Sequence, residues 1–146
     1  MCKIRALVLS VTTTLQWLPA LISRVTIGMI FIQSGWGKFH HLDKVVQFFA
    51  SLGIPAPHLQ APFVAGVELV GGSLVLIGLF TRVAALPLIG TMIVAILTAK
   101  LKDVAELSDF FSLSEYLFIV LLLWLIVKGA GALSVDHALA KQCEGK

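Results

Sequence analysis

QAPFVAGVELVGGSLVLIGLF, residues 60–80, holds a single ionisable side chain, Glu68, in a run as long as a bilayer is thick. About 20 predominantly apolar residues carry an α-helix across a hydrocarbon core of roughly 30 Å, so this stretch reads as a membrane span. The rest of the chain agrees. Of the 146 residues 58% are hydrophobic and 13% charged, and the mean hydropathy is +0.98. Charged side chains this sparse cannot cover a water-facing surface, which excludes a soluble globule, and the same apolar content excludes disorder.

Outward from that stretch, Thr81 and Arg82 make a tight turn into a third span, residues 83–99, which has no charge. Its Pro87 falls in the first two turns, where a lost hydrogen bond is tolerated in lipid. Upstream, a first span runs over residues 19–39, with Pro19 at the favoured first helical position and Arg24 inside. Between these two spans lies DKVVQFFASLGIPAP, residues 43–57. Val45, Val46, Phe49 and Leu52 share one helical face there, with Asp43 placed to cap the start and Gly53 the end of a short surface helix. After the polar loop KLKDVAELSD comes a fourth span, residues 113–127, opened by a Ser112–Glu115 capping box.

The expected architecture is all-α: a single polytopic membrane domain over residues 1–146, built as a four-transmembrane-helix bundle. Joined to the first span, residues 6–18 would give a helix of about 50 Å, so the N-terminal segment, residues 1–18, is read as retained and lying along the interface. The 11 Lys and Arg residues sit at helix ends and form no stripe, which argues against nucleic acid. Four spans put both termini on one side. Lys3, Arg5, Arg82, Lys128, Lys141 and Lys146 flank that side, against Lys38, Lys44, Lys100 and Lys102 on the other, a bias toward cytoplasmic termini. Cys2 and Cys143 lie in no redox or zinc spacing, and no disulfide between them is expected.

Ionisable groups inside spans are the strongest functional signal, since each costs about 2.5–3.5 kcal/mol and is kept for a partner or a role. Arg24, Gly28, Phe31, Gly35 and Lys38 share one face of the first span; Glu68, Gly71, Val75, Gly78 and Arg82 share one of the second. Two small-residue stripes predict direct packing. Antiparallel contact then brings Lys38, Glu68 and Glu115 into a polar cluster, with Gln33 one turn deeper and Arg24 entering from the terminal side. Each has a plainer role. Arg24 can fix helix register, Arg82 anchor the interface, Glu115 close its capping box and Lys38 snorkel. Glu68 has no local structural reason to exist, so it is the leading candidate, as a proton carrier. His40, His41, His58 and Asp43 lack metal-ligand spacing, so no metal site is expected. Trp17, Trp36 and Trp124 read as belt or packing residues, and no phosphate loop, catalytic triad or haem ligand pair is legible.

Taken together, R-x3-G-x6-G-x2-K (Arg24, Gly28, Gly35, Lys38), E-x2-G-G with G-L-F-T-R-x-A-A (Glu68, Gly71, Gly72, Gly78 to Ala85), M-I-V-A, and G-x-G-x-L-S-x-D (Gly129, Gly131, Ser134, Asp136) resemble the DoxX family over residues 20–138. The resemblance implies a small four-helix protein of a prokaryotic cytoplasmic membrane, associated with redox processes. The family is named for a subunit of a thiosulfate:quinone oxidoreductase, so quinone is the implied cofactor and redox proteins the implied partners. Members often carry a histidine near the end of helix three; here Lys100 stands in T-A-K-L, and no histidine-dependent role carries over. The leading expectation is a redox-linked membrane component holding a small head group at the polar cluster, with Arg24, Gln33, Lys38 and Glu115 as ligand-binding residues. The alternatives are a scaffold without chemistry and an oligomeric solute or proton pathway.

Overall fold

The computed structural model describes Leu15 and residues 17–144. The expectations for the interfacial N-terminal segment before them and for Cys2 lie outside the described residues, as does the Cys143 side chain. The described residues are helical and contain no strand. Helix α1 is Trp17–His40, α2 Leu42–Ser51, α3 Pro57–Ile77 and α4 Thr81–Ala95. A π-helical turn (Ile96–Lys100) and a 3-10 turn (Leu101–Asp103) prolong α4, followed by α5 Leu107–Ser112, α6 Ser114–Lys128 and α7 Val135–Glu144.

Three helices are long and apolar enough to cross a membrane: α1, α3, and α4 with its π extension to Lys100. Helix α6 has 15 residues, about 22 Å, less than the roughly 30 Å of a hydrocarbon core. The molecule wears its apolar side chains outward: Val127 is 76% exposed, and Leu59, Val83 and Leu86 are exposed as well. Hydrocarbon as the outer solvent removes the cost such a surface would carry in water.

Helix α1 packs along α3, α4 packs against α3 and α6, and α2 lies on α3. The core between them gathers Ile27, Phe31, Val75, Leu88, Leu122 and Leu125. Close approach of α1 and α3 depends on glycine. A Cβ on Gly28 would lie 2.9 Å from the Gly72 carbonyl oxygen, and one on Gly72 would lie 2.8 Å from the Phe31 Cβ. Gly71 instead faces α4, where a Cβ would meet Leu88 at 3.0 Å. Of the second stripe, Glu68 and Gly78 do meet the first, at Lys38 and Arg24, while Gly71 turns away from it. Gly71 and Gly72 are about 100° apart around α3, and it is Gly72 that meets α1.

Three boundaries differ from the sequence reading. The turn between the second and third spans is Gly78–Phe80, with Gly78 and Phe80 left-handed at φ 73° and 47°. It precedes Thr81, which opens α4 with its amide bonded to a carboxylate oxygen of Asp136 at 3.1 Å; Phe80 N reaches the other oxygen at 2.8 Å. This cap comes from a residue 55 positions downstream, so no local pattern announces it. The Ser112–Glu115 box does not form. The capping box joins Glu106 and Asp109 at the start of α5, and Ser112 Oγ bonds back to the Ser108 carbonyl at 2.9 Å. Asp43 lies inside the first turn of α2, whose N-cap position is His41 and has no side-chain cap.

Candidate functional site

Glu68 sits in the middle of α3 and is 2% exposed. Its Oε2 is engaged by the Lys38 ammonium, which comes from the last turn of α1 and also donates to Ser34 Oγ at 2.7 Å. Ser34 lies one helical turn before Lys38, so the ammonium is steered inward by its own helix. The Lys38 side chain keeps 25% of its surface exposed. Among the described residues Glu68 Oε1 takes no hydrogen bond, leaving one carboxylate oxygen available.

This ion pair lies on the wall of a cavity of about 590 Å³ bounded by α1, α2, α3, α4 and α6. The rest of the wall is mainly apolar, with rings from Phe31, Phe49, Phe63 and Phe118, and takes further polar groups from Ser34, Gln60, Thr91, Thr98 and Glu115. Phe48 and Phe49 of helix α2 and Leu52 at its C-cap cover one side; of the apolar face read in the sequence, Phe49 and Leu52 line the cavity and Val45 and Val46 do not. The π-helical turn adds Thr98 and Ala99. An inserted residue of this kind widens a helical turn and is frequent at functional sites.

Glu115 reaches the same cavity at the start of α6, but its Oε1 lies 3.9 Å from Lys100 Nζ and it pairs with that residue, not with Lys38. Gln33 is exposed and lines nothing here, contrary to the expected cluster. At about 100° per residue it stands about 140° around α1 from Lys38 and about 180° from Arg24, so the helix turns it outward.

Arg24 does not enter from below. Its guanidinium donates to the carbonyls of Ala130, Leu133 (2.9 Å) and Leu76 (3.4 Å), binding α1 to the segment after α6. Gly78 makes room, since a Cβ there would lie 2.7 Å from Arg24 Nη1. Leu76 is eight residues, about 12 Å, along α3 from Glu68, so the two charges belong to different levels of the bundle. Arg82 is at the terminal end too, exposed beside Gly129 and bordering a separate recess with Lys128 and His137. Gly28 and Gly35 serve the α1–α3 contact; a Cβ on Gly35 would lie 2.8 Å from the Ala65 carbonyl oxygen.

Two contributors were not singled out by sequence. Ser34 carries the one available signal, its i−4 spacing to Lys38. The covering residues of α2 and the π-helical turn become relevant only when the chain folds back on itself. Among the described residues no group of three or more His, Cys, Asp or Glu comes together, and His40 Nδ1 lies 3.0 Å from the Trp36 carbonyl.

Comparison with known proteins places the chain among small membrane proteins. The profile of the DoxX family matches residues 20–101. The chain is 36% identical over 118 residues to "Putative oxidoreductase CatD" of Bacillus subtilis (strain 168), covering 80% of this chain and 83% of that protein. It is 35% identical over 133 residues to "Uncharacterized membrane protein Rv3486" of Mycobacterium tuberculosis (82% and 80% covered). "Inner membrane protein YqjF" of Escherichia coli (strain K12) is 26% identical over 128 residues, with 88% of this chain and 97% of that protein covered. No solved structure matches the chain.

Proposed function

The chain belongs to the DoxX family of membrane proteins, and on that premise we propose that it is the membrane component of a redox system, holding a quinone head group at Lys38 and Glu68. One observation carries the reading: an ion pair with a buried carboxylate is the polar focus of a mainly apolar cavity large enough for a ring. Burying a carboxylate without need is costly, and an apolar pocket with a few convergent polar groups is the usual form of a small-molecule site.

The residues present fit such a group. Aromatic rings on several sides offer faces to a planar ring. Lys38 offers a donor to a ring oxygen, and Glu68 Oε1 can accept or return a proton there. A bound quinone would supply two-electron, two-proton carrier chemistry; the chain orients the ring, keeps water out and moves the proton at the Glu68 carboxylate. The electrons are assigned to a partner oxidoreductase, in keeping with the name of the Bacillus subtilis relative.

In this reading α6 is the fourth span despite its length, with Lys128 reaching the interface at one end and local thinning of the bilayer at the other. Helix α2 then rests on the membrane surface over the cavity, and both termini face the cytoplasm.

Titration of the purified full chain with a benzoquinone tests the site. Glu68→Gln keeps the shape of the side chain and removes its charge. It should weaken binding by about tenfold or more, the scale of a charge-assisted hydrogen bond, while circular dichroism stays unchanged. An identical titration curve for wild type and variant would sink the proposal.

A further inference from the structure

The cavity beside Glu68 does not stop at α3 and α4. Phe63 and Val67 of α3 and Pro87 of α4 line it, and the same three residues line a second apolar recess of about 580 Å³ between these helices. That groove continues along Gly66, Val70 and Leu74 of α3 and Val83 of α4. Val70 is 59% and Val83 64% exposed, so the groove lies open to the surrounding hydrocarbon. The two helices come close where Leu88 seats against Gly71; toward the π-helical end, the gap between them becomes the cavity. At Gly90, which also lines the cavity, a Cβ would meet nothing within 4 Å.

We propose that the ligand of this cavity is an amphiphile with a single apolar tail, its head at the ion pair and its tail leaving between α3 and α4, past Phe63, Val67 and Pro87, into the outer groove. The inference rests on the head-group reading above and adds the class of ligand: membrane-dissolved, not water-soluble. Three features support it. The Lys38–Glu68 pair is a compact polar focus in a mainly apolar wall, which suits a molecule polar at one end. The three shared side chains are apolar, so nothing along the route needs a hydrogen bond. The outer groove merges with lipid, so a tail moves between bilayer and protein without ever entering water.

The full chain, purified in one detergent, is titrated with a dimethoxy-methyl benzoquinone carrying a decyl chain and with the same ring lacking that chain. Gly66→Leu and Val83→Phe add bulk to the outer groove and leave Lys38 and Glu68 untouched. A Cβ at Gly66 has only the edge of the Phe39 ring nearby, at 4.0 Å. Partition of the probe into micelles is common to wild type and variant, so the ratio of their affinities isolates the groove. Each variant should lose about tenfold for the decyl probe while staying within about twofold for the tail-less ring. Equal loss for both probes, or loss for neither, overturns the tail route and leaves the head-group site standing. If the wild type binds neither probe, the head-group reading itself fails, and the tail route with it.

Discussion

Lys38 and Glu68 form a pair in which one partner is almost wholly enclosed and the other still touches the outside. Removing one member of a buried pair strands the other, whereas removing both leaves ordinary apolar packing. Lys38→Met should therefore cost about 3 kcal/mol, the lower end of the buried-pair range because the lysine is partly exposed. Adding Glu68→Leu should restore most of the loss, a coupling that melting curves of the single and double variants would measure. Additive losses would mean that the two charges do not depend on each other. Arg24 and Glu68 should show no such coupling, since Arg24 spends its donors on Ala130, Leu133 and Leu76. The importance of Glu68 was legible because a mid-span acid has no local excuse. The partners of Arg24 were not, because they are backbone carbonyls 52 to 109 residues away, which carry no residue identity to read.

Between helices, the glycines separate into two kinds with opposite tolerance. Gly28 is pressed against the Gly72 carbonyl and the Leu76 Cβ, so Gly28→Leu should drive α1 from α3 and cost about 1–3 kcal/mol, as overpacking does. Gly90 has open space around it, and Gly90→Ala should raise stability by about 0.5–1 kcal/mol through helix propensity alone. Opposite shifts in melting temperature are expected; shifts of the same sign would contradict the assigned packing. At this scale the sequence was a good guide to the existence of helices and a poorer one to their ends. Spacing marked α1, α2, α3 and α4 within a few residues. The Phe80–Thr81 start was hidden because its cap is the distant Asp136, and the Ser112–Glu115 pattern lost to the neighbouring Glu106–Asp109 box.

Taken whole, the molecule has two chemically distinct ends. One holds the Lys38–Glu68 cavity beneath α2; the other holds Arg24, Arg82, Lys128 and Asp136 around the α3–α4 turn. If α6 crosses the membrane, a reporter that is active only outside the cytoplasm should stay silent when fused after Lys146 and become active when inserted at Gly53. Activity at both positions, or at the C-terminus alone, would contradict four spans with cytoplasmic termini. Composition made the membrane setting legible from the start, whereas the cavity was not, because its wall is assembled from five helices that only the finished fold brings together. The grip of Arg24 on the Ala130 carbonyl also bears on biogenesis. That contact joins residues 106 positions apart, so the first span must be threaded into the bilayer and held there, its guanidinium lacking this acceptor, while more than a hundred further residues are made. A nascent chain stalled before the Ala130–Leu133 carbonyls emerge would lack the clasp, which makes the arrival of that segment a checkpoint for assembly.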